Sequence, residues 1–303
     1  MIAVLFVAAA LAAAKSPRES CAGDGAPPGA VAMKEFAIPD AALSAPGRPF
    51  PYISVLAPAD WKAEGALDPR AGDPCGLRHA LRWRAASPDG LATIAILPDE
   101  SWFASRHETQ FSSCPSRPVF SAAEHAEDLL LRQGVKAAAG KWRAREDIAA
   151  PFRAPPAAGG ETTADAGELS FRGEAATDAL LIAAVVISKP AHYIPEDEWR
   201  AYAPPAILAT APAGKLDADL VEAVRASAIV NPDWQAAYEQ MIGGSSTPTR
   251  KTVTARPPFP DRTAGAPMTK CGRAYAPLST PLLWRRDDGR IFLIPPSTAS
   301  DHE

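Results

Sequence analysis

What this chain has little of narrows it first. It contains a single asparagine, Asn231, and fewer lysines than arginines beside abundant alanine. That bias resembles the coding of a GC-rich bacterial genome. Its five histidines, His79, His107, His125, His192 and His302, are scattered. His107-Glu108 is not followed by a second histidine at zincin spacing, and no two cysteines have the C-x-x-C interval, so neither a metal site nor a cofactor is expected. The G-x-S-x-G, Walker and G-x-G-x-x-G patterns are missing, which leaves acyl transfer, nucleotide and dinucleotide chemistry without their usual signatures. The net charge of −4 lacks the positive excess that a nucleic-acid partner demands.

Residues 1–14 read MIAVLFVAAALAAA. This run is shorter than the roughly 20 residues of a membrane span, and it ends in the small side chains that a signal peptidase accepts. We read it as a signal peptide, with no span expected after its removal and a periplasmic or extracellular destination. Cys21 is not preceded by lipobox residues. Apolar content of 47% permits a proper core, and the 32 prolines are about twice the usual share.

Four cysteines, Cys21, Cys75, Cys114 and Cys271, suit disulfides in an exported chain. Cys75 and Cys114 fall in polar loops on either side of a central hairpin, so we pair them. Cys21 with Cys271 would then tie the two ends.

That hairpin is the clearest local signal. Residues 77–85 and 91–97 carry alternating apolar positions, and Ser87-Pro88-Asp89-Gly90 between them has turn chemistry at each place. Residues 52–57 read as a strand. Ser121 and Glu124 form a capping box opening a helix over 122–133, with Gly134 as its stop. Residues 141–148 suit a strand, 151–166 a Pro/Gly/Ala/Thr loop, and 169–174 a modest strand. The run ALLIAAVVIS at 179–188 is the strongest buried-strand signal. Residues 205–211 form a further strand. Asp217 caps a helix over 218–229, and Asn231-Pro232-Asp233 starts another bearing Trp234, Tyr238 and Met241. The organisation that follows is an extended lead-in at 15–46, a main domain at 47–242, a basic Pro/Gly/Ser linker at 243–270, and a C-terminal hairpin segment at 271–303.

FPYISVLAPADW, LRWRAASPDGLATIAILPDESW, the paired cysteines and the late SAIVNPDW together resemble bacterial exported proteins of the PsbP-like kind, over residues 49–242. The resemblance implies an α/β/α sandwich, an antiparallel sheet covered by helices, here with a β-hairpin appendage. It also implies binding to, or assisting assembly of, a larger complex without catalysis.

Seven tryptophans supply bulk. Trp83 reads as core. Trp61, Trp102 and Trp199 fall at strand ends or in a loop and are the candidate aromatic binding face. The acidic pairs at Asp99-Glu100 and Glu196 to Glu198 read as solvated loops, His79 as a strand-edge residue and His125 as a helix-surface residue. The expected function is a non-catalytic binding or assembly module of the bacterial envelope with an envelope protein partner. A small-ligand or glycan binder using those tryptophans stands second, and a hydrolase third.

Overall fold

The computed structural model describes residues 30–106, 113–135, 138–153, 160–173, 176–190, 199–242, 282–285 and 291–294. Along the chain the first strands are β1 (Val31–Pro39), β2 (Pro51–Pro58), β3 (Lys62–Pro69), β4 (His79–Ala86), β5 (Thr93–Leu97), β6 (Glu100–Ala104) and β7 (Ser116–Arg117). Helix α1 (Ala122–Arg132) follows, then β8 (Ala138–Ala144), α2 (Glu146–Ala149), β9 (Gly160–Arg172), β10 (Thr177–Pro190), β11 (Trp199–Ala203) and β12 (Ala206–Pro212). The last elements are α3 (Ala218–Ser227), β13 (Ile229–Val230), α4 (Pro232–Ile242), β14 (Leu282–Arg285) and β15 (Ile291–Ile294).

Strand β10 is buried from Ala179 to Ile187. It needs no polar alternation because both of its faces are covered. Leu180 and Ile182 point into the largest core, and Ala184 and Val186 into a smaller one under α2. Leu181 and Ala183 pack beneath α1, and Val185 and Ile187 beside Trp102. One edge of β10 is taken by β9, from Asp178↔Arg172 to Pro190↔Gly160, and β9 carries β8.

The other edge is divided. Thr177 to Ile182 pair with β12, and Val186 to Ser188 pair with β11. Between these partners lie Pro204 and Pro205, which have no N–H to give. The registers on either side differ by one residue, Ile182↔Ile207 against Val186↔Tyr202, which is a bulge. The next pair of strands breaks at the same level. β5 continues into β6 past Pro98-Asp99, and Ala206↔Leu97 and Ala203↔Glu100 keep one register across the gap. The sheet therefore forks into one arm of β12-β5-β4-β3 and another of β11-β6-β7.

A second sheet, β13-β2-β1-β14-β15, lies over the first arm. Met33, Ile38, Ile53 and Val55 meet Leu81, Trp83, Ile94 and Ile96, with Val221 and Val224 of α3 filling the same core. The outer edge of β2 is closed by side chains as well as by β13. Ser227 Oγ accepts the Leu56 N–H at 2.9 Å, and Asn231 Nδ2 donates to the Pro51 carbonyl at 2.9 Å. Helix α1 carries the expected capping box, and Gly134 takes φ +69° after it. Its buried face is Ala122, His125, Ala126, Leu129 and Leu130, whereas Leu131 is 78% exposed.

The expected antiparallel sheet covered by helices, the PsbP-like α/β/α sandwich, is corrected by this architecture. Strand accounts for 50% of the structure against 21% for helix, and the main sheet is curled into a half-barrel. It is mixed because β6 and β7 run parallel. The larger core is closed by a second sheet where a helical layer was expected. Three local expectations change with it. Residues 160–166, read as loop, are strand, with the small Ala164 and Ala166 buried. The lead-in contains β1. The C-terminal hairpin is no appendage, since β14 pairs with β1 through Val31↔Leu283 and Ala32↔Leu282, and Leu283 is buried in the main core.

Gly65 of β3 packs tightly between its own sheet and Ile38 of the second one. A Cβ there would stand 2.9 Å from both Ile38 Cδ1 and Trp83 Cδ1, and 3.1 Å from the Arg82 carbonyl. The Gly65→Ala variant is expected to lose about 1–3 kcal/mol through overpacking, read as a lower urea midpoint with unchanged slope.

Candidate binding cleft

Between β3 and β4 the chain makes a closed loop. The Arg70 N–H donates to the Arg78 carbonyl at 2.8 Å. Asp73 Oδ1 accepts from the N–H groups of Cys75 at 2.9 Å and Leu77 at 3.2 Å, an Asx pattern that holds the bend. Gly72 and Gly76 take φ of +74° and +81°, where a side chain would be strained. The Arg70 guanidinium donates to the Asp99 carbonyl at 2.9 Å and stands 3.8 Å and 4.0 Å from the carboxylates of Asp99 and Asp73. The expected Cys75–Cys114 disulfide is formed, across Cα atoms 4.7 Å apart and 39 positions of sequence. It fastens this loop to the chain entering β7.

Helix α4 supplies the facing wall. Asn231 Oδ1 accepts the Asp233 N–H at 3.0 Å, with Pro232 in the first turn. Trp234, Tyr238 and Met241 follow at i, i+4 and i+7, and so share one face. The Trp234 indole N–H donates to Asp40 Oδ2 at 2.8 Å. Asp40 is 3% exposed and also accepts the Ala42 N–H at 2.8 Å. The rings of Trp234 and Tyr238 stack with centroids 4.7 Å apart, and Tyr52 and His79 meet the stack edge-on. An open cleft of about 430 Å³ results, bounded by the 69–79 loop, His79, Tyr238 and Met241.

Groups lining the cleft and packed beside it titrate away from their ordinary values. Burial pushes the Tyr52 phenol up to about 12, with the charges of Asp99 and Asp40 adding to it. Burial also lifts the Asp99 carboxyl to about 6, outweighing Arg70. Tyr238 is raised and His79 lowered, both chiefly by burial. A cluster of perturbed groups beside a cleft marks a candidate site.

The tryptophans singled out from sequence do not gather there. Trp102 is 0% exposed, its indole N–H donates to the Val119 carbonyl, and His125 stacks on it at 5.2 Å. Its ring offers nothing to solvent. Trp199 is half-buried near it, with the Lys189 ammonium 5.5 Å from its ring centre. Trp61 is half-buried against the core between the sheets, on the other arm. Cys21, Cys271, His192, Glu196 to Glu198, the signal-peptide run and the 243–270 linker lie outside the described residues.

Two bland assignments are corrected. His125 lies on the inner face of α1 at 1% exposure, not on the helix surface. Asp99 and Glu100 are half-buried and paired, not a solvated loop. Glu100, His125 and Asp128 bring ligand atoms within 4.8 Å of one another. Both Glu100 oxygens and one Asp128 oxygen are nevertheless engaged by arginines. Arg132 donates to both Glu100 oxygens at 2.7 and 2.8 Å and to Asp128 at 3.0 Å, and Arg117 donates to Glu100 and Asp128 at 3.0 and 3.2 Å. Burial works to raise Glu100, but these hydrogen bonds hold its carboxyl below the usual range. The cluster clamps α1 to β6.

What sequence reasoning missed is the cleft itself, formed by Arg70, Arg78, His79, Tyr238 and Met241 over Asp40. The signal that could have found it is the Trp234, Tyr238 and Met241 spacing, which leaves an aromatic stripe on a helix beside a cysteine-bearing loop.

Two groups should shape acid stability with opposite signs. Burial drops the His125 imidazole from 6.5 to about 4. The unfolded chain therefore takes up more protons between those values, and stability falls as pH falls through that window. Asp99 is raised from 3.8 to about 6, so its linkage costs stability as pH rises through the same range. In the Asp99→Asn variant only the first effect remains. Urea midpoints measured at about pH 4.5 and about pH 6.5 should then climb more steeply than in the parent, by up to about 1.4 kcal/mol per pH unit. Equal slopes would refute the assignment. Replacing Cys75 and Cys114 by alanine should cost about 4 kcal/mol by loop entropy, read by the same titration. Among the described residues no helix is long and apolar enough to cross a membrane. Compared with models of known protein families and with curated proteins, the chain matches none.

Proposed function

We propose that this chain is an exported, non-catalytic binding module of the bacterial envelope that engages a protein partner at the cleft between the 69–79 loop and α4. The observation that carries this reading is the construction of that cleft. A disulfide-braced loop and a stacked aromatic face of a helix meet across an opening of about 430 Å³. Walls fixed in advance reduce the ordering cost of binding.

The chemistry on offer suits recognition. Rings and guanidinium groups face the opening, and among the described residues His79 makes no side-chain hydrogen bond to a nucleophile. Met241 stands at the rim, 56% exposed. Its flexible, polarisable side chain adapts to different apolar surfaces. Export is supported by the apolar run at 1–14 and by the Cys75–Cys114 bridge.

The test is site-specific photocross-linking in intact cells. A benzophenone amino acid at Met241 should give one dominant adduct. The same probe at Leu131, exposed on α1 away from the cleft, should not. Adducts of equal strength at both positions, or none at Met241, would remove the cleft from the account.

A further inference from the structure

The charges around the cleft are not equally engaged. Asp73 is satisfied by two backbone N–H groups and stands beside Arg70. Asp99 lies within 3.8 Å of the same guanidinium. Asp40 is buried beneath the ring stack and accepts from Trp234 and Ala42. Arg70 is held in turn by the Asp99 carbonyl.

Arg78 differs from all of these. It lines the opening, its side chain is exposed, and among the described residues no carboxylate pairs with it. Arg78 lines the same opening as His79 and Tyr238, at the edge of the aromatic face. Leu77 and Met241 give the same opening an apolar side.

Resting on the binding reading above, we infer that the cleft recognises an acidic peptide segment of the partner, with one carboxylate on Arg78 and an adjacent apolar or aromatic side chain against Tyr238 and Met241. A guanidinium without a partner is the group best fitted to a carboxylate, since it binds in a planar fork and gives up no existing ion pair. Ring and thioether surfaces next to it accept the neighbouring side chain. Arg78 is therefore the specificity residue and Met241 the adaptable contact.

The probes are three matched peptides, acetyl-Leu-Glu-Phe-amide and its Gln and Lys counterparts, titrated against the full chain while the Trp234 indole and Tyr238 ring resonances are followed. The Glu peptide should bind at least about tenfold more tightly than the Gln peptide, the worth of one charge-assisted hydrogen bond. Arg78→Gln should abolish that difference, and Arg78→Glu should transfer the preference to the Lys peptide. As Arg78 is exposed, both variants should keep the parent's unfolding midpoint. Equal binding of Glu and Gln peptides, a preference of the parent for Lys, or no binding at millimolar concentration would overturn the inference. In each of those cases, a surviving Met241 adduct in cells would show that the cleft is still the contact and that only its chemistry was misassigned. Loss of that adduct as well would remove both readings.

Discussion

Three prolines that cannot donate a hydrogen bond set the shape of this molecule. Pro98 lies level with Pro204 and Pro205 across two neighbouring strand pairs, so the ladder fails in both at once. Had the sheet run on unbroken, one flat layer would have had to cover both sides of β10. The break lets one arm turn beneath the second sheet while the other wraps Trp102 and the start of α1. It also leaves the Asp99 carbonyl outside any ladder, where the Arg70 guanidinium takes it. The interruption that curls the sheet thus anchors the loop that walls the cleft.

Around that frame the half-buried charges act as fasteners. Glu100 and Asp128 are held by Arg117 and Arg132 across the β6–α1 contact. Arg145 joins Glu168, Asp147 and Glu222, linking β9, α2 and α3. Partly buried arginine–carboxylate networks of this kind are worth more than isolated surface pairs, and they mostly fix where elements sit. Arg78 stands apart from both networks.

Much of the chain was legible locally. The Ser87 to Gly90 turn, the Ser121–Glu124 box, the Gly134 stop and the buried run at Ala179 to Ile187 are written in short-range chemistry, and each lies where the sequence places it. The Cys75–Cys114 pairing was readable because a hairpin brings its flanking loops together. What failed was long-range. Glu161, Thr162, Thr163 and Asp165 around Ala164 and Ala166 disguise a strand whose buried positions there are small. Pairing with β2 on one edge and with Leu283 of β14 on the other makes a sheet strand of a lead-in whose apolar residues, Met33, Phe36 and Ile38, do not alternate strictly. Tertiary placement decided the tryptophans too. Trp102, expected at a strand end, lies in the middle of β6 and is the most enclosed tryptophan among the described residues, because α1 folds over it with His125 as its stacking partner. The cleft was illegible for the same reason: its walls come from residues near 40, 75 and 240.

The pairing of β1 with β14 carries a consequence for folding kinetics. Val31 and Leu283 stand near opposite ends of the sequence, so their contact has close to the greatest separation this chain allows. Closing so large a loop is paid for before any reward arrives, and such topologies fold slowly. The β4–β5 hairpin and the β9–β10 ladder are near neighbours in sequence and can form first. Until residues 282–285 arrive, β1 presents an unpaired edge beside Met33, a template for aggregation. A chain synthesised from its N-terminus leaves that edge open for as long as the strand at 282–285 is missing.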